Sequence, residues 1–259
     1  MQLLFAMTHS YAEDTALLEE ERKRFERQEE VLELARVWKP FKHRTDDYRC
    51  RNASSYGGFQ LLDKAIQTKL RSAAVELVKS AGKMIFSGSF NLTRISFPIK
   101  CMTHVSMLEC MATMASCYPI YFNRAAETAD PVEKMKLTIC GSLAYFYFEK
   151  LFEKPLNPIL GETYEAYGQD GTNIYFEQSC HHPPISHFIV EGPYKNFKLS
   201  GWSSYTVKAG MNSGNITTEG HKLIQFKDGQ TIKFNNYNDL MYNIMLGTMG
   251  HQILGKMVY

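Results

Sequence analysis

The sequence predicts an α+β chain: helices through roughly its first 150 residues, then a large, curved antiparallel sheet. Three observations predict it. Before Lys154, apolar residues recur at intervals of three and four, the repeat of amphipathic helices. After Lys154, short segments rich in Tyr, Phe, Ile, Val and Thr are separated by Gly-containing turns. Across one such turn, Lys227-Asp228-Gly229, Ile224 and Phe226 face Ile232 and Phe234 with polar residues between them, the pattern of a hairpin with one buried face.

In chain order, residues 12–39 read as a helix dense in charge. Leu18, Phe25 and Leu32 recur at seven, but Arg22 and Glu29 occupy the intervening seam, which predicts packing along a narrow stripe rather than a stable coiled coil. Pro40 ends it, and the polar stretch 41–58 with Gly57-Gly58 reads as a linker. Over 59–86, Leu62, Ile66, Leu70, Ala73, Ala74, Leu77 and Val78 mark an amphipathic helix or helix pair that stops near Gly82. Such a helix either docks on the core or serves as a movable cover or membrane-contacting segment. Helices follow over 104–126 and 131–152. The second begins at Asp130-Pro131-Val132-Glu133, with a capping Asp, Pro at the first helical position and Glu at the third. Its body is apolar nearly all round, which predicts burial. Strands are expected near 162–168, 172–178, 186–191, 194–208, 221–227 and 230–235, with a further turn at Gln169-Asp170-Gly171, forming a meander or barrel.

Bulk properties exclude several classes. With 29 basic and 27 acidic residues the net charge is only +2, so charge does not point to nucleic acid. The six cysteines, at 50, 101, 110, 117, 140 and 180, contain no Cys-x-x-Cys pair and read as reduced thiols of a cytosolic protein. The start, MQLLFAMTH, lacks a basic flank and is a poor signal peptide. Uncharged stretches such as Cys110–Asn123 fall short of the ~20 residues that span a bilayer, so any membrane contact is expected to be peripheral.

Two stretches carry candidate chemistry. In Lys154-Pro155-Leu156-Asn157-Pro158, two prolines stiffen a turn that holds an ammonium beside an amide, a pairing suited to a phosphate or polyol. The same turn also reads as a structural lead into a strand with Lys154 solvated. In Glu177-Gln178-Ser179-Cys180-His181-His182-Pro183-Pro184, adjacent imidazoles precede a rigid Pro-Pro. They can donate to a phosphate, or simply satisfy nearby backbone groups. His187 lies five residues beyond His182, but the prolines preclude a helical His pair, which argues against a metal site. No Gly-x-Ser-x-Gly elbow is present, which argues against a nucleophilic triad; no catalytic group and no cofactor are assigned.

Together, KPLNPILGE at 154–162 and EQSCHHPPIS at 177–186 resemble the hallmark segments of the oxysterol-binding protein family. The family's usual Val-Ser before the two histidines is replaced by Ser179-Cys180. LTRISFPIKCMTHVSMLE at 92–109 is similar to the family's segment leading into its helices, but has Thr103-His104 where an acidic-proline pair is usual. YNIMLGTMGHQILGKMVY at 242–259 resembles later barrel strands, and the likeness runs from about residue 65 to the end.

The resemblance implies a lipid carrier: an incomplete, highly curved β-barrel enclosing a lipid tunnel, with a flexible lid. It divides the chain into a charged helix and linker at 1–58 and a partial lipid-binding domain at 59–259. Within that domain the lid is expected at about 62–95, helices at about 102–152 and strands at about 160–259. The barrel is expected to be truncated at the C-terminus, leaving an open edge at Tyr259. The implied activity is not enzymatic. It is transfer of phosphatidylinositol 4-phosphate between membranes, with a sterol or phosphatidylserine as counter-ligand, and Lys154, Asn157, His181 and His182 would surround the inositol phosphate. The implied setting is cytoplasmic and peripheral, at membrane contact sites, with membrane lipids as partners and no nucleic acid. A lipid sensor or regulatory scaffold of the same ancestry, acting through the helix at 12–39, is the alternative. A His-dependent metal hydrolase is a third.

Overall fold

The computed structural model describes residues 52–54, 57–81, 97–148, 152–210 and 212–259. The helix read over 12–39, most of the linker, Gly82 and the second half of the expected lid lie outside the described residues.

A two-residue strand β1 (Phe59–Gln60) leads into helix α1 (Lys64–Ala81). Asp63 starts α1: its Oδ1 accepts hydrogen bonds from the backbone N–H of Ala65 (2.8 Å) and Ile66 (3.0 Å), satisfying donors that have no partner within the helix. Leu70 and Ala73 are buried, and Leu77 and Val78 half-buried, on one face as their spacing predicts; Leu62 lies ahead of the helix and is exposed.

After a 3-10 turn at Ile99–Cys101 come strand β2 (Met102–Ser106), helices α2 (Met107–Ala115), α3 (Tyr118–Glu127) and α4 (Pro131–Phe148), and strand β3 (Lys154–Leu156), which pairs in parallel with β2. The single helix expected over 104–126 is therefore a strand and two helices. Ser106-x-x-Glu109 resets the start, because Ser106 Oγ accepts from the Glu109 N–H at 3.4 Å. The break comes where Ser116 turns back on Thr113 O through both its N–H and its hydroxyl, and Pro119 in the first turn of α3 has no N–H to continue the ladder.

Helix α4 begins where predicted, with Asp130 Oδ1 accepting from the Val132 N–H at 2.9 Å. It is not buried all round. Lys134, Leu137, Thr138, Gly141, Ser142 and Tyr145 face inward, whereas Lys136, Cys140 and Leu143 are exposed. The inward stripe stays satisfied although partly polar: the hydroxyls of Thr138 and Ser142 each donate to the carbonyl four residues back. Lys134, fully buried, pairs with Asp228 in the Lys227-Asp228-Gly229 turn and lies 4.8 Å from the centre of the Phe226 ring.

The remaining strands are β4 (Thr163–Tyr167), β5 (Asn173–Cys180), β6 (Ile185–Glu191), β7 (Phe197–Ala209), β8 (Ser213–Phe226), β9 (Thr231–Asn235), β10 (Asn238–Tyr242) and β11 (Gly250–Leu254). The nine described strands other than β2 and β3 form one antiparallel sheet in the order β1-β11-β10-β8-β7-β6-β5-β4, with β9 paired to the second half of β8. Among the described residues it is not closed: β1 and β4 are its ends. Ile224 faces Ile232 across the β8–β9 hairpin, and Ile224, Phe226, Ile232 and Phe234 are all buried. Strand β8 begins eight residues before the expected 221, because its polar first half pairs with β7 over Thr206↔Thr217 to Ala209↔Gly214. At the β1 end, Gly58 (φ +71°) lies so close to β11 that a Cβ would sit 2.0 Å from the His251 carbonyl oxygen.

The core lies between α2–α4 and the inner face of β5–β9, with Leu108, Met111, Phe122, Val190, Leu199 and Ile224 at its centre. Tyr118 stacks on Phe122 (4.9 Å) and on Tyr145 (5.4 Å), and the Phe197 ring meets Phe122 edge-on at 5.6 Å.

Candidate functional site

A cavity of about 350 Å³ lies under α1, between the β2–β3 pair and the concave face of the sheet. That size suits a small organic ligand or part of a lipid. Residues from the β5–β6 turn and from β10 and β11 line the same cavity although β7 and β8 separate them in the sheet, so the sheet curls around it.

All four residues singled out by sequence line this cavity: Lys154, Asn157, His181 and His182. Lys154 Nζ donates to Asn157 Oδ1 at 2.5 Å and to its neighbour's carbonyl, Pro155 O, at 3.2 Å; it lies 5.4 Å from the centre of the Phe97 ring. Among the described residues no carboxylate pairs with it. Burial pushes its pKa below the usual lysine value, because a partly dehydrated ammonium lacks the water that would stabilise its charge. His181 and His182 are both exposed on the turn after β5, with ring centroids 4.6 Å apart. The turns are held side by side by backbone pairing, since Gly161 N–H donates to Gln178 O and Gln178 N–H to Glu162 O. The arrangement offers one ammonium, an amide and two imidazoles at one end of an otherwise largely apolar cavity, a set suited to an anionic group carrying an apolar tail.

His187 does not join them. It sits on the outward side of β6 with Nδ1 2.6 Å from Ser179 Oγ, whereas its neighbour Ser186 faces the cavity. Among the described residues no three His, Cys, Asp or Glu side chains are grouped to hold a metal ion.

The apolar wall comes from Leu70, Ala73 and Leu77 of α1 and from Val207, Ile216 and Met241 of the sheet. The helix read as a possible cover thus forms part of the cavity wall. Sequence reasoning missed two polar groups here. Gln178 is buried, with Nε2 donating to Cys180 O at 2.8 Å and Oε1 accepting from Ser186 Oγ at 2.5 Å. Asp239 and His251, both buried, pair at 3.0 Å. The signal for the second was an ionisable residue interrupting each of two short strand-like stretches, Asn238–Tyr242 and Gly250–Leu254. No described helix is long and apolar enough to cross a membrane.

Comparison with known proteins agrees with this architecture. The model of the oxysterol-binding protein family matches residues 84–259. Oxysterol-binding protein 9 of Dictyostelium discoideum is 32% identical over 212 residues, covering 82% of this chain and 49% of that protein. Human oxysterol-binding protein-related protein 1 is 31% identical over 169 residues, 61% of this chain and 17% of its own length. The chain therefore spans at most about half the length of these relatives. Among solved structures, the Osh1 ORD domain in complex with cholesterol superposes with a TM-score of 0.64 at 21% identity, over 91% of this chain and 52% of that one. The Osh3 ORD of Saccharomyces cerevisiae in complex with PI(4)P gives 0.61 at 18% identity, over 71% and 48%. With the family model covering more than half of its residues, and with this fold, the chain belongs to the oxysterol-binding protein family.

Proposed function

We propose that this chain binds one lipid at a time in the 350 Å³ cavity and carries it between membranes, with phosphatidylinositol 4-phosphate as one ligand and a sterol or phosphatidylserine as the other. The observation that carries the reading is Lys154: a partly buried ammonium, aimed at Asn157 and paired with no carboxylate among the described residues, at the polar end of a largely apolar cavity. A cation left in that state is costly until an anion joins it. A phosphate seated between Lys154, Asn157, His181 and His182 supplies that anion, and its charge raises the pKa values of the groups it touches. The acyl chains would lie along Leu70, Ala73, Val207 and Met241, each buried methylene contributing ~0.8 kcal/mol. In this reading α1 is part of the lid, the chain works at the cytoplasmic surface of membranes that it touches peripherally, and it catalyses no reaction.

Extraction of labelled phosphatidylinositol 4-phosphate from liposomes tests it, with His181→Ala/His182→Ala alongside. Two charge-assisted hydrogen bonds at roughly 1.5–3 kcal/mol each predict a loss of ~10²–10⁴ in affinity. Sterol uptake should be largely unchanged in the same variant. Equal loss of both ligands by a normally folded variant would refute the head-group assignment. A well-folded wild type that extracts neither would instead favour a sensor or scaffold.

A further inference from the structure

Strands β10 and β11 put a carboxylate and an imidazole on the cavity wall. Asp239 is register partner to Ile253 and Met241 to His251, so Asp239 and His251 are diagonal neighbours on one face of the sheet. Both line the cavity, and they are 3% and 7% exposed. Their surroundings are apolar: Met241, Met249, Ile216 and Ile244 line the cavity with them, and the Phe152 ring lies 6.4 Å from the imidazole. A wall needs no such pair, since apolar residues of equal volume would close it without desolvating two polar groups.

The pair orients a hydrogen-bond acceptor. His251 Nε2 lies 3.0 Å from Asp239 Oδ1, and an ionised carboxylate can only accept, so the ring proton belongs on Nε2. In the neutral imidazole that leaves the Nδ1 lone pair free to accept, since among the described residues the side-chain hydrogen bond of His251 is the one to Asp239 through Nε2. The group is remote along the sheet from the phosphate-binding candidates: β11 is separated from the β5–β6 turn by β10, β8 and β7. We infer that His251, held by Asp239, is a second recognition point in the cavity, one that accepts a hydrogen bond from the hydroxyl of a mostly apolar ligand. It therefore selects an alcohol over the corresponding ether or ketone. The inference deepens the proposal that the cavity binds lipids and rests on it.

The test uses the purified full chain and liposomes carrying labelled cholesterol, its 3-methyl ether or its 3-ketone. Wild type should take up the alcohol at least about tenfold better than either analogue, because neither can donate to Nδ1. Asp239→Leu combined with His251→Phe, which replaces each side chain with an apolar one of similar shape and removes both polar groups, should bring the three ligands to near-equal uptake. His251→Gln offers a milder variant should the double one fail to fold. Its amide can donate to Asp239 and still accept from a hydroxyl, so part of the preference should survive. Phosphatidylinositol 4-phosphate extraction, measured on the same samples, reports separately on the Lys154 end. If that extraction fails while the alcohol preference holds, the head-group reading falls and this one stands. Equal uptake of alcohol, ether and ketone by wild type, or an undiminished preference in the double variant, overturns the inference.

Discussion

Replacing Lys154 with Met should stabilise the empty protein and weaken phosphoinositide binding. Methionine nearly matches the length of the lysine stem but removes the ammonium, and with it the ammonium's contact with the Phe97 ring. In the empty protein that ammonium is partly dehydrated, and its compensation is two neutral acceptors, Asn157 Oδ1 and Pro155 O. Its pKa is lower in the folded chain than in the unfolded one, so between the two values the unfolded chain holds more protons. Below the folded pKa both states carry the charge, and the folded state bears the full dehydration cost. That cost shrinks as pH rises towards the unfolded lysine value of about 10.4. The stability gap between variant and wild type should therefore be largest at neutral pH and narrow on the alkaline side. Each kcal/mol recovered would raise the melting midpoint by about 2–4 °C in a chain of this size. With ligand the order reverses: loss of one charge-assisted bond to phosphate should cost ~1.5–3 kcal/mol, roughly 10- to 150-fold in affinity. Thermal melts from pH 7 to 10 and liposome extraction read the two halves. A Lys154→Met protein that is less stable than wild type when empty at pH 7, or that extracts phosphatidylinositol 4-phosphate as wild type does, would refute the reasoning.

Three further outcomes follow from packing and charge. Gly141→Ala should destabilise by about 1–2 kcal/mol, seen as a lower urea midpoint at constant slope. The new Cβ would lie 2.6 Å from a Phe122 ring pinned by Tyr118 and Phe197, which outweighs the helix-propensity gain. Alkylation at pH 8 followed by peptide mass spectrometry should label exposed Cys140 quickly. Cys117 should be labelled only on unfolding, since burial pushes its pKa up to about 12. Asp228→Asn should flatten acid unfolding: the hydrogen bond from the Lys134 ammonium holds the Asp228 carboxyl below its ordinary value. Its contribution is present above about pH 3.8 and lost as pH falls through the lower folded value, so wild type should lose stability more steeply than the variant below pH 4. Parallel acid limbs would disprove that role.

What the sequence determined by itself was local and periodic. Asp130-Pro131 began α4 because a capping carboxylate and a proline need only their own helix. Ile224, Phe226, Ile232 and Phe234 turned inward because alternation across a tight turn sets the register of a hairpin. The two proline-stiffened stretches could be recognised because rigid backbone around a cation or paired imidazoles is chemically unusual, and each lines the cavity. Tertiary structure decided what depends on partners far along the chain. Strand β8 extends through Ser213–Glu219, a polar stretch that β7 recruits, and only the curl of the sheet brings β10 and β11 to the cavity that His181 and His182 also line. Whether Lys154 is solvated or dehydrated, and whether an Asp and a His twelve residues apart become a buried pair, depends on long-range burial. Linear spacing carries no record of that, because dehydration comes from whatever the folded chain packs around a group.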